Sequence, residues 1–562
     1  MLKIPSTTAV ASACLSLFSG LALVACGGGS GEAGDPPAAT PASTTLTLAG
    51  TAAQGAAMAG AAIGIKCASG TASLSAGSDG SYSAALTDAS LPCVVRAVSA
   101  DGKTSYHSLQ AGSGAATASY TVNISPLTEL LVASVAGAAP DAYYTGFGAT
   151  TTLSTATVTQ AVNGLATLLA GVVDLGGANP IADPLAVGNA LDQKIDALNA
   201  ALTAAHTSLA ELTSAVATDP GAGDAVKRLV QPVASSCASL RSGKFRMISP
   251  FEQDPPWRAH VLSLNAQTLG VSVFDGSTGT LAADPAHACS FSISDDEGSV
   301  QLMVSSAGVI MGFHKGGVPI TFGLPEQTLP LSELAGTWNL IRTEALDDGS
   351  GKLSMPTEVT VDASGQITAF AECPGSGACT PGSGPFPTIR ANAAGGFDVV
   401  EGGEVTDRVY LFKTESGSKM LVSLSSDGKA FNVGTPKKAT ALPTVDASNS
   451  FWDFSMTGKL ALSAPALQAQ RIVSVDAANQ RYARIFTAAE GAALDRVDSF
   501  SINSPREGWR TRAQGDCTLK GAPVNCLGVF VLPLQGMGIT LNTTIGASTA
   551  ATSRLGFSVN AP

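Results

Sequence analysis

The sequence predicts a mainly β, multi-domain protein: an N-terminal β-sandwich, an α-helical middle segment, and then three β-rich modules built as small barrels or sandwiches. Three observations predict it. From about residue 45 the chain alternates apolar and polar residues between Gly-led turns, the period of two that turns one strand face inward. At Ser125 the apolar spacing changes to steps of three and four, the period of a helix. Beyond Cys237 short β segments return, and three stretches share a rough internal order. At 562 residues the chain is too long for a single core.

The first element, residues 1–25, reads as a secretory signal. Met1-Leu2-Lys3 supplies one basic residue, a mostly apolar run from Ala9 to Ala25 is short for a membrane span, and small residues precede Cys26. Leu23-Val24-Ala25-Cys26 resembles the lipobox of bacterial lipoproteins. That resemblance implies cleavage before Cys26 and a diacylglycerol on its thiol, with fatty chains of the palmitate kind. An ordinary secretory signal that contains a cysteine is the alternative. Gly27 stands where the family places Asp for inner-membrane retention, so the resemblance implies the outer membrane, facing either the periplasm or the exterior. Residues 26–44 are a Gly/Pro/Ala/Ser tether with few side chains to pack. No later stretch approaches ~20 uninterrupted apolar residues, so the lipid is the expected membrane attachment.

Residues 45–124 form the predicted sandwich. Ala72 to Ser83 reads as a hairpin around Asp79-Gly80, with Gly60 to Ile65 before it and Cys93 to Ala97 after it. This Gly-rich opening, apolar strand and Asp-Gly-x-Tyr turn resemble the carboxypeptidase regulatory-like domain. The resemblance implies a transthyretin-like seven-strand sandwich that serves as an accessory, without peptidase chemistry.

Residues 125–236 form the helical segment. Ser125-Pro126 is a capping Ser followed by Pro at the first helical position, with Leu127, Leu130, Leu131 and Val135 on one face. A second helix carries Val158, Val162, Leu165 and Leu169. A third is expected from Asp183-Pro184, with Leu191, Ile195, Leu198, Leu202, Ala205, Leu209 and Leu212 in a row. That row fits either a seam between chains or packing within this one. The Ser125 to Leu130 opening after such a sandwich resembles a recurrent arrangement in Gram-negative lipoproteins.

Residues 237–330, 331–445 and 446–562 are the three β modules. Each opens on an aromatic strand: Phe245, Trp338, and Phe451-Trp452. Each continues with a strand that ends at an Asp-led turn, Val271 to Asp275, Val359 to Asp362 and Val473 to Asp476. Each then carries Phe291-Ser292-Ile293, Phe397-Asp398-Val399 or Phe500-Ser501-Ile502. Trp338 to Val359 and Trp452 to Val473 are both 21 apart, and Ser305 to Gly308 matches Ser425 to Gly428. Chance alignment of Val/Ser/Asp-rich strands is the competing explanation. Gly336-Thr337-Trp338 resembles the Gly-x-Trp that opens lipocalin-type barrels, implying a cavity for an apolar ligand; a strand-edge Trp in a filled core is the plainer alternative.

Cysteine usage fits export. Besides Cys14 in the signal and Cys26, the ten cysteines leave eight in neighbouring pairs: Cys67 and Cys93, Cys237 and Cys289, Cys373 and Cys379, Cys517 and Cys526. An even set in an oxidising compartment suggests disulfides, with connectivity left open by the sequence. No zinc-type spacing accompanies them.

Charge and chemistry exclude several classes. A formal charge of −12 without basic clusters argues against nucleic acid. His107, His206, His260, His287 and His314 are dispersed, without a metal-ligand spacing, and no Gly-x-Ser-x-Gly elbow occurs. Gly102-Lys103-Thr104 reads as a hairpin turn, because Ala97 stands where a phosphate loop needs its first Gly. Asp295-Asp296-Glu297 and Asp347-Asp348 sit among Gly and Ser and read as solvated turns, with Ca²⁺ the alternative. The expectation is a non-enzymatic envelope protein without cofactor or metal. Its partners would be the membrane, through the lipid, and an envelope protein or glycan. An apolar-ligand carrier and a hydrolase assembled only by the fold are the alternatives.

Overall fold

The computed structural model describes residues 43–115, 117–219, 223–295, 298–314, 320–373, 379–489 and 495–561. The signal segment and Cys26 lie outside the described residues. Strand exceeds helix by more than three to one, 47% against 14%, so the chain is mainly β and multi-domain. The residues from Thr44 to Pro562 form one compact unit that contains every hydrophobic core and all four disulfides.

Seven strands come first: β1 (Thr45–Thr51), β2 (Ala62–Ser69), β3 (Thr71–Ser75), β4 (Ser81–Thr87), β5 (Ser90–Val98), β6 (Ser105–Ala115) and β7 (Ala118–Thr121). They make two sheets, ordered β4-β1-β7 and β3-β2-β5-β6. The expected Ala72–Ser83 hairpin is corrected here, because β3 pairs with β2 whereas β4 pairs with β1. The Asp79-Gly80 turn therefore carries the chain from one sheet to the other. Gly80 has φ +78°, and a Cβ there would stand 2.3 Å from the Ala52 carbonyl oxygen, so both backbone and space demand glycine. Tyr82 then turns inward and its hydroxyl donates to the Val122 carbonyl.

Six helices follow: α1 (Pro126–Ala136), α2 (Pro140–Gly146), α3 (Thr155–Leu169), α4 (Ala190–Ala204), α5 (Leu209–Thr218) and α6 (Asp224–Arg228). Ser125 caps α1 in a reciprocal box with Thr128, and Pro126 fills a position that needs no N–H. The single helix expected from Asp183 is two. Asn189 caps α4, His206 takes φ +49°, and Ser208 opens α5 in a capping box with Glu211. Leu191, Ile195, Leu198, Leu202 and Leu212 join one core with Leu46, Ile63 and Val95 of the sandwich. The leucine row thus packs within the chain. His107 of β6, fully buried, adds a polar joint: its Nδ1 lies 2.9 Å from Glu129 of α1 and its Nε2 3.2 Å from Asp141 of α2.

The remaining chain forms three curled sheets. The first runs from Gly243–Ile248 to Thr321–Pro325, the second from Gly336–Ala345 to Lys419–Ser425 and Ala430–Pro436. Numbering the described strands within each, both follow the order 4-3-2-1-9-8-7-6-5, so two stretches of unlike sequence share one topology. The third, from Ser448–Thr457 to Arg554–Ala561, also places its first strand between the second and the last. Its third and fourth strands pair as well, which closes a ring of eight strands with a short hairpin attached.

Period-two alternation gives each sheet two faces. Phe245, Met247 and Phe291 fill the interior of the first, and Trp338, Leu340, Phe397 and Leu411 that of the second. Their outer faces meet that of the third in a separate central core that includes Met311, Phe322, Phe412, Phe431, Trp452 and Phe557. The 21-residue match does not survive this comparison. Trp338 lies directly opposite Val359 and points inward, whereas Trp452 lies opposite Leu467 and points into the central core. The Ser305 turn joins strands seven and eight of its sheet, and the Ser425 turn joins eight and nine. What repeats is strand order.

Candidate functional site in the third barrel

The third barrel turns much of its polarity inward, beside one small apolar cluster of Ile472, Tyr482, Phe500, Ile502 and Val531. Along Ser448–Thr457, Trp452, Phe454 and Met456 face outward to the central core, which leaves Phe451, Asp453 and Ser455 lining the interior. Along Arg554–Ala561, Leu555, Phe557 and Val559 face outward and Gly556, Ser558 and Asn560 inward. The interior holds a half-open cavity of about 1130 Å³. A volume of this size exceeds the common range of roughly 300–1,000 Å³ for small-molecule pockets.

One wall of the cavity is strongly basic. Tyr482, Arg484 and Phe486 alternate along Arg481–Ala489; Arg496, Asp498 and Phe500 do so along Arg496–Ile502; Arg510 and Arg512 follow on the next strand. Asp498 is 1% exposed and holds three guanidinium groups: Arg496 at 2.8 Å, Arg512 at 2.8 Å and Arg484 at 3.3 Å. Burial pushes the Asp498 carboxyl up, but Arg484, Arg512 and Arg496 outweigh it and hold it below the usual carboxylate range. Asp453 behaves oppositely: burial pushes its carboxyl up, and the bond from Ser558 Oγ at 2.8 Å offsets this only in part. Arg484 lies over Phe486 at 4.9 Å and Phe500 at 5.0 Å, and Tyr482 stacks on Phe500 with centroids 5.5 Å apart.

All but one of the expected site residues that the structure describes fall elsewhere. Cys26 is outside the described residues. Cys67–Cys93 joins the neighbouring strands β2 and β5, Cys237–Cys289 ties the entry of the first module to its sheet, and Cys373–Cys379 closes a short loop of the second. Cys517–Cys526 lies in the third module, where Cys526 lines the cavity. Trp338 is 1% exposed in a filled core, its Nε1 donating to the Leu334 carbonyl at 2.8 Å, which is the plainer of its two readings and not the lipocalin-like one.

Gly102 sits in the turn between β5 and β6, where Asp101 accepts from the Lys103 N–H at 3.1 Å, and Asp348 accepts from the Ser350 N–H at 2.9 Å. Asp296 and Glu297 are outside the described residues. Among the described residues no group of three or more His, Cys, Asp or Glu could hold a metal, and no helix is long and apolar enough to cross a membrane. The basic wall was missed in the sequence because single arginines in strands resemble solvent-facing positions. Its trace is the run of inward charges at period two, Arg484, Arg496-x-Asp498 and Arg510-x-Arg512, in strands whose neighbours are aromatic.

No family model matches the chain, and no curated protein matches it. Among solved structures, a point mutant of transferrin binding protein B from Haemophilus parasuis Hp5 is 8% identical, with 57% of this chain and 77% of that chain covered and a TM-score of 0.19. The isotype 1 protein of that name from serogroup B Neisseria meningitidis is 8% identical, with 54% and 62% covered and a TM-score of 0.19. Overlap at this level carries no argument about fold or ligand.

Proposed function

We propose that this chain is a lipid-anchored envelope protein of the outer membrane that binds a small molecule inside its third barrel and catalyses no reaction. The observation that carries this reading is the third barrel, whose largely polar interior, with one small apolar cluster around Ile472 and Phe500, surrounds a half-open cavity of about 1130 Å³ while its two neighbours are filled with apolar side chains. A protein selected only for stability has no reason to bury charge around a cavity, since filling it with apolar residues is the more stable solution. The 3+4-strand sandwich supports reading residues 45–124 as an accessory module of the carboxypeptidase regulatory-like kind. With the helices packed on its core, the sandwich serves as a platform for the barrels, and the barrel surface outside the central core is available to an envelope protein or glycan.

The test starts from the membrane pellet of a Gram-negative host making the full chain. Cys26→Ala should move the protein to the soluble fraction. Solvent extraction of the purified wild type should release a small molecule at close to one equivalent, identified by mass spectrometry, and Thr540→Trp, which fills the cavity, should lose it. Identical extracts from both proteins would overturn the reading, as would turnover of ester, glycoside or peptide substrates that Thr540→Trp abolishes.

A further inference from the structure

From the charge balance of the cavity wall we infer that the ligand is an amphiphilic oxyanion, a carboxylate, phosphate or sulfonate carried on an aromatic or acyl body. The inference rests on the third barrel being the ligand site. Five arginines and two aspartates line the cavity among the described residues, in a chain whose formal charge is −12. Burial pushes the Asp453 carboxyl toward its neutral form, whereas the arginines hold that of Asp498 toward its anion.

One carboxylate cannot satisfy this wall. It offers about four lone-pair sites, whereas each guanidinium carries five N–H donors in a planar fork. Arg484, Arg496 and Arg512 all converge on Asp498; beyond it Arg484 donates to Gln470 Oε1 at 2.5 Å and Arg512 to the Leu527 carbonyl at 2.9 Å, both neutral acceptors, and Arg510 donates to the Tyr482 hydroxyl at 3.4 Å. The Nε atoms of Arg484, Arg510 and Arg512 are buried without a hydrogen-bond partner. Clustered guanidinium groups repel one another, and a second oxyanion beside Asp498 would relieve that repulsion by charge-assisted, two-pronged hydrogen bonds. The same wall carries Phe486, Phe500 and Tyr482, so the anion would sit next to aromatic surface. A bare inorganic anion would leave that surface and most of the cavity unused. A neutral apolar ligand would leave the arginines uncompensated.

The test uses two fluorescent probes of nearly the same aromatic body, anilinonaphthalene sulfonate and the uncharged phenylnaphthylamine, with the compact unit of residues 44–562. The sulfonate should bind at least about tenfold more tightly than the neutral probe, as expected of a charge-assisted contact. Arg484→Gln should weaken the sulfonate by about tenfold with little effect on the neutral probe. Asp498→Asn removes the competing carboxylate and should tighten the sulfonate while leaving the affinity of the neutral probe and the near-UV circular dichroism unchanged; a partly unfolded chain, which also binds such dyes, would lose the near-UV signal and bind both probes more strongly. Dodecanoate should displace the sulfonate, and inorganic phosphate should do so only at far higher concentration.

Equal binding of the two probes, insensitive to Arg484→Gln yet abolished by Thr540→Trp, would overturn the oxyanion inference and leave the barrel as the ligand site. Displacement by phosphate as readily as by dodecanoate would overturn the amphiphile. Binding that survives Thr540→Trp would overturn the barrel itself as the site.

Discussion

Asp453 and Asp498 share one cavity and are both buried, yet their carboxyls shift in opposite directions. The difference is the company each keeps: three arginines for Asp498, chiefly a serine hydroxyl for Asp453. Asp453 retains its proton in the folded chain over a range in which the unfolded chain has lost it. Stability must therefore fall as pH rises from the ordinary value of 3.8 through the raised folded value. Asp453→Asn removes that loss while keeping an acceptor for Ser558. Thermal unfolding should show a higher midpoint for the variant at pH 7, with the advantage vanishing below about pH 3.8. A variant no more stable than the wild type at pH 7 would show that Asp453 is not strained by burial. Neither role was legible in the sequence: Phe451-Trp452-Asp453-Phe454 draws the eye to its aromatic residues, and which face of the strand is buried depends on neighbours as distant in the chain as Phe313 and Phe557.

At the scale of elements, periodicity located the helical segment but not its breaks. The row from Leu191 to Leu212 keeps its spacing across the end of α4 because both α4 and α5 turn toward the same sandwich core, so the apolar pattern has no reason to lapse there. The local signal of the break is polar. Ser208 accepts from the Glu211 N–H at 3.2 Å, and Glu211 accepts from the Ser208 N–H at 2.7 Å. Ser208→Ala should cost about 1 kcal/mol and Ser208→Gly only a few tenths, measured by urea unfolding of residues 44–562. Equal effects of the two substitutions would mean that the box does not hold the start of α5. The Asp79-Gly80 turn misled for a related reason. Turn chemistry fixes a reversal of the chain, and the same reversal serves a hairpin or a crossing between sheets; the pairing of β3 with β2 and of β4 with β1 distinguishes them, and Gly80's approach to Ala52 goes with it.

For the whole molecule, three β-rich modules behind a sandwich and a helical segment were readable from turn spacing and aromatic strands, because those signals are local. The partition of apolar residues between barrel interiors and the shared central core was not, since both look like every second residue of a strand. Central-core packing decides how the molecule unfolds. The sandwich and helices form one core, whereas the central core draws on all three later sheets: Phe557 of the third stacks on Phe454 at 5.1 Å and meets Phe322 of the first at 6.1 Å. A sheet that came apart alone would expose an apolar face on both of its neighbours. Calorimetry of residues 44–562 should therefore resolve two transitions, one for the sandwich with its helices and one for the three barrels together. Phe557→Ala, fully buried in the central core, should destabilise the second by about 3–5 kcal/mol and leave the first in place. Three separate barrel transitions, or a loss from Phe557→Ala confined to the third barrel, would show that the central face is a contact between independent modules. If the transition is shared, a ligand bound in the third barrel should raise the melting of all three barrels together, because occupancy of one part of a cooperative unit stabilises the whole of it.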